Sequence, residues 1–132
     1  MAQAAPPRVV IVSANAETVD GLQGYLVGVG INAQSAGSLA ATANLPARTT
    51  AVVLFPDGFN AEDALGHARA LHRERPRLLL LLVTRDARGF SEALASDQRE
   101  PPVLILPKPA FGWTIVDAIR LHAQALSTTT AK

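Results

Sequence analysis

The sequence predicts an α/β fold: a parallel sheet of five strands alternating with five helices and covered on both faces. Two observations carry this. Runs that are apolar at consecutive positions recur at Val9-Val10-Ile11-Val12, Ala51-Val52-Val53-Leu54-Phe55, residues 78–83 and Val103-Leu104-Ile105-Leu106. A strand that is apolar at every position is buried on both faces, as in a parallel sheet held between helical layers. The stretches between these runs repeat their apolar residues every three to four positions, the period of a helix with one buried face.

The elements follow in order. Arg8-Val9-Val10-Ile11-Val12 is a largely β-branched first strand. Ser13-Ala14-Asn15 ends it, and Asn15 is a good N-cap with Glu17 in the first turn behind it. Val19, Leu22, Leu26 and Val29 share one helical face, and Gly28 and Gly30 close that helix. Residues 31–36 form a weaker strand, and an alanine-rich helix runs from Gly37-Ser38 through Leu45 to a stop at Pro46. The strand at residues 51–55 enters a turn, Pro56-Asp57-Gly58. Asn60-Ala61-Glu62-Asp63 reads as a capping box opening a helix whose inner face is Ala64, Leu65, Ala68, Leu71 and His72. Pro76 stops it. The strand at residues 78–83 ends in Thr84-Arg85-Asp86, and a shorter helix lies near Phe90 to Ser96. The last strand reads as buried and central, ended by Pro107, which has no N–H to give a ladder. Trp113, Val116, Ile119, Ala123 and Leu126 then fall on the inner face of a final helix.

Composition narrows the function. A chain of 132 residues, 48% hydrophobic and 17% charged, is one ordered domain with a real core. We place that domain at residues 8–126, with tails at 1–7 and 127–132. The first seven residues lack the charged start and apolar core of a signal peptide. The alanine-threonine composition after Leu126 suits a linker. A net charge of +1 gives no strong attraction to nucleic acid or to a membrane surface, and neither is expected as a partner. The longest apolar run is six residues, against the roughly 20 needed to cross a bilayer. The absence of cysteine excludes a disulfide frame and a thiolate metal site, and a cytoplasmic location is expected.

Few residues carry catalytic promise. His67, His72 and His122 lack the spacing of a metal set, and no metal site is expected from them. Gly24, Gly28 and Gly30 stand at a helix end, whereas a phosphate loop needs glycines between a strand and a helix start. Arg69, Arg73, Arg75 and Arg77 suit the negative end of the helix they follow. No Ser-His-Asp or paired-carboxylate spacing occurs, so no catalytic residue and no enzymatic activity is expected. The informative motif is Leu106-Pro107-Lys108-Pro109-Ala110-Phe111. It holds one ammonium group at the carboxyl end of a strand, the edge where open α/β sheets bind ligands.

With Thr84 ending the fourth strand and Lys108-Pro109 following the fifth, residues 8–126 resemble a CheY-like receiver domain of bacterial response regulators. The resemblance implies a doubly wound (βα)5 fold, a flavodoxin-like three-layer sandwich with strand order 2-1-3-4-5. It also implies a phosphorylation pocket of five parts. Two acidic residues after the first strand hold Mg²⁺, an aspartate after the third accepts the phosphoryl group, and a hydroxyl and a lysine bind its oxygens. Here Thr84 and Lys108 match. The acidic pair falls on Ser13 and Ala14, which offer no carboxylate to a hard cation, so Mg²⁺ is not expected. The acceptor position falls on Pro56, with Asp57 one residue beyond it. The switch position three residues before the lysine is Ile105, where the family usually has an aromatic ring.

The resemblance therefore implies a pseudo-receiver, which keeps the scaffold and signals through protein contact. Lys108 then pairs with Asp57 across the old pocket. By family analogy the partner surface is the fourth helix, fifth strand and fifth helix, with Phe90, Ala93, Leu94, Asp117, Arg120 and Gln124. The partner is a protein of a signalling pathway or a second copy of the chain. Two alternatives are a phosphorelay receiver using Asp57 and a sensor of small ligands or anions in the vacated pocket.

Overall fold

The structure, a computed structural model, describes residues 7–75, 77–94, 104–108 and 112–130, with the side chains of the last helix described through residue 123. Val103, Pro109, Ala110, Phe111, Pro76, Ser96, the side chains of Gln124 and Leu126, residues 1–6 and the chain end lie outside that set.

Five parallel strands form one sheet in the order β2-β1-β3-β4-β5. They are β1 (Arg8–Val12), β2 (Asn32–Ala36), β3 (Ala51–Leu54), β4 (Leu79–Thr84) and β5 (Leu104–Pro107). The helices are α1 (Ala16–Gly28), α2 (Ala61–Glu74), α3 (Ala87–Leu94) and α4 (Gly112–Thr130). The doubly wound fold and its strand order are as the resemblance implied.

The period-two alternation of strand side chains divides the core into two halves. Val9, Ile11, Val53, Leu81 and Val83 face Leu22 and Leu26 of α1 and Ile115 and Ile119 of α4. Val10, Val12, Val52, Leu80 and Leu82 face Ala64, Ala68 and Leu71 of α2 and Phe90 of α3. Every residue of β4 is buried, which explains its unbroken apolar run.

The local signals largely hold. Asn15 caps α1, its side chain accepting from the amides of Glu17 and Thr18. Gly30 takes φ +88° just beyond α1, where the chain reverses and the Ile31 amide donates to the Leu26 carbonyl at 2.9 Å. Asn60 accepts from the Asp63 amide at the start of α2.

Three expectations are corrected. The helix expected over residues 37–45 is a 3-10 helix, Leu39–Asn44, with no side-chain cap from Ser38. The hydroxyl of Thr42 donates back to the Leu39 carbonyl at 2.8 Å, a local bond that competes with α-helical pairing. A second 3-10 turn, Pro56–Gly58, follows β3 directly. β5 is an edge strand, not a central one, so Leu104 and Pro107 are exposed and Ile105 and Leu106 half-buried. Pro107 is tolerated as its last residue because an edge need not donate. Trp113 is 59% exposed, because α4 turns Ile115, Val116 and Ile119 inward instead.

Candidate functional site

Parallel strands bring all their carboxyl ends to one edge. There β3 stops at Leu54, and the 3-10 turn winds Asp57 across toward the end of β4. The Thr84 hydroxyl, fully buried, donates to Asp57 Oδ1 at 2.5 Å. The Arg85 amide donates to Asp57 Oδ2 at 2.9 Å. Lys108 Nζ stands 3.3 Å from the same oxygen, the two side chains being 31% and 26% exposed.

Lys108 is fixed from two more directions. Its amide donates to the Thr84 carbonyl at 3.1 Å, and its ammonium lies 5.8 Å from the centre of the Phe55 ring, within cation–π range. Thr84 also accepts from the Asp86 amide at 3.0 Å, so its oxygen both donates and accepts. Burial pushes the Asp57 carboxyl up. The Thr84 hydroxyl, the Arg85 amide and the hydrogen bond and charge of Lys108 outweigh that and hold it below its ordinary value.

The position beside this carboxylate is built differently. Ser13 is buried, and its Oγ accepts from the Asn15 amide at 3.1 Å. Its own amide donates to the Ala36 carbonyl at 3.2 Å. Ala14 lies against Gly58, where an added Cβ would come 2.9 Å from the Ala14 methyl. A magnesium ion prefers six oxygens near octahedral geometry. On the adjoining loop the chain offers a hydroxyl and a methyl in place of two carboxylates, and these do not fit it. Among the described residues no group of three His, Cys, Asp or Glu side chains is placed to hold a metal ion.

The structure thus brings together Asp57, Thr84 and Lys108, with Ser13 and Ala14 on the adjoining loop. The ring of Pro56 is buried, and Asp57, not Pro56, meets Thr84 and Lys108. Sequence reasoning missed the Arg85 amide and the Phe55 ring. Neither carries a motif, since one is main chain and the other depends on where the lysine folds back.

The surface residues named by analogy separate. Phe90 and Leu94, each 8% exposed, are core residues, because the short α3 must bury its whole apolar face. Ala93 is half-buried, and its carbonyl accepts from Arg69 at 2.6 Å. Asp117 and Arg120 are exposed, with the Arg120 guanidinium donating to the Val29 carbonyl at 3.0 Å. Ile105, at the switch position, packs against the α2–α3 half of the core. Of the histidines, His67 lies 3.3 Å from the Thr42 hydroxyl, His122 lies 2.7 Å from the Arg77 carbonyl, and His72 is buried.

No family model and no curated protein matches the chain. Solved structures do match in fold. The CheY-like response regulator receiver domain protein from Methanospirillum hungatei has a TM-score of 0.78 at 16% identity, over 94% of this chain and 98% of that one. The signal receiver domain of an HD domain-containing protein from Pseudomonas fluorescens has a TM-score of 0.78 at 14% identity, over 100% and 97%. A response regulator receiver protein from Pseudomonas putida has a TM-score of 0.73 at 21% identity, over 89% and 98%. The chain has the fold of CheY-like receiver domains. Among the described residues no helix is long and apolar enough to cross a membrane.

Proposed function

We propose that this domain is a pseudo-receiver, a non-enzymatic module of two-component signalling that acts through protein contact without phosphoryl transfer. One observation carries the reading. Asp57, the carboxylate that meets both Thr84 and Lys108, has both oxygens engaged, and the positions where the receiver family carries its acidic metal ligands fall on Ser13 and Ala14. Attack on a phosphodonor brings an anion to an anion, and fixed positive charge is what makes that approach feasible. Lys108 supplies one such charge, and the Asp57 carboxylate already neutralises it. The proposed partner is a protein or a second copy of the chain, and the exposed Asp117 and Arg120 on α4 form part of the surface it meets.

A second reading rests on a specific observation. Asp57, Thr84 and Lys108 converge as an acceptor, a hydroxyl and an ammonium would around an acyl phosphate. Beryllofluoride with Mg²⁺ imitates that adduct and separates the two readings by NMR. No perturbation of the Asp57 and Thr84 amides is expected. A saturable adduct that disappears in Asp57→Ala establishes the second reading.

A further inference from the structure

We propose a second site, an oxyanion pocket at the amino-terminal edge of the sheet, opposite the Asp57 cleft. Residues paired in register on parallel strands point to the same face. Arg8 pairs with Asn32 and Val10 with Gln34, so a guanidinium and two carboxamides share one patch over Val10. In place of a full helix, a six-residue 3-10 helix follows β2, and the segment after it closes the patch with Pro46 and Thr49. The result is a cleft of about 60 Å³. One water needs roughly 10–15 Å³ on that measure, so a tetrahedral oxyanion has room.

The walls are fixed. Arg8 is clamped by Thr50, whose hydroxyl accepts from the Arg8 amide at 2.9 Å and donates to its carbonyl at 3.0 Å. Arg75 holds the opposite wall, donating to the Leu45 and Pro46 carbonyls at 2.8 and 2.9 Å. On the lining residues Arg8 and Pro46 these bonds engage main-chain atoms. The guanidinium of Arg8 is a donor only, the two carboxamides and the Thr49 hydroxyl can each turn a donor inward, and no aspartate or glutamate lines the cleft among the described residues. Such a lining selects a small oxyanion of phosphate size, which a guanidinium grips through two parallel bonds.

The test is titration of the whole chain with inorganic phosphate, followed by amide NMR at constant ionic strength against chloride. A parallel titration uses adenosine monophosphate. Saturable shifts centred on Asn32 and Gln34 are expected, weakened about tenfold or more in Arg8→Gln and unchanged in Lys108→Ala. Arg8→Gln keeps the main-chain clamp to Thr50, so an unaltered spectrum elsewhere shows that it folds. Tighter binding of the nucleotide assigns the anion to a nucleotide, and equal or weaker binding assigns it to free phosphate. Shifts that survive Arg8→Gln, shifts abolished by Lys108→Ala, or no saturable shift with either probe would overturn the proposal.

Discussion

At the residue scale the account turns on Asp57. Its folded pKa lies below its unfolded value, so its contribution to stability is complete above the unfolded carboxylate pKa of about 3.9 and is lost as pH falls through the lower folded pKa. In Asp57→Asn one oxygen still accepts from Thr84, but an amide group would then face the Arg85 amide and the lysine, donor against donor. Denaturant melts should therefore show Asp57→Asn less stable than the parent at neutral pH, with the gap closing in acid. A gap that widens in acid contradicts the assignment. Asp57→Ala should cost about 1–3 kcal/mol, since it strands the buried Thr84 hydroxyl. Lys108→Ala, which removes a partly exposed ion pair, should cost about 0–1 kcal/mol. Equal losses would show that the lysine, not the threonine, holds the carboxylate. Thr84, Lys108 and Asp57 were all legible in the sequence, and so was the pairing of Lys108 with Asp57. The fit of Asp57 was not, because a one-residue offset after a strand is resolved only by the turn that follows.

Turns and caps decide matters at the element scale. The 3-10 turn Pro56–Gly58 absorbs the offset, and it touches the β1–α1 loop through Gly58 and Ala14. Gly58→Ala sets two methyl carbons about 2.9 Å apart, closer than they can lie, and should cost about 1–3 kcal/mol. In an Ala14→Gly background the nearest atoms lie 3.7 and 3.8 Å away, so the penalty should vanish. A double-mutant cycle by chemical denaturation reads the coupling directly, and additive losses would show that the loops do not touch. Helix caps such as Asn15 and Asn60 were readable because their bonds are local. The 3-10 character of residues 39–44 was not, since it depends on what Thr42 does with its hydroxyl. The apolar run of β5 hid its exposure, since such a run has the same composition at a sheet's edge as at its centre, although the strand order implied by the resemblance already ended on it.

For the whole molecule, the covered parallel sheet follows from apolar runs alternating with amphipathic stretches, and the strand order came from the resemblance to receiver domains. The likeness to receiver domains at identities of 14–21% shows how little else the scaffold demands. The chemistry at the carboxyl edge is a separate matter, set by a handful of side chains. Here those side chains close on one another, and the account holds that the edge is a latch without a metal. The most direct test is intact-mass measurement after treatment with a small phosphodonor and Mg²⁺, on the parent chain and on the Ser13→Asp/Ala14→Asp variant. The account predicts no phosphoryl adduct on the parent and an adduct on the variant. An acyl phosphate on Asp57 of the parent chain would contradict it.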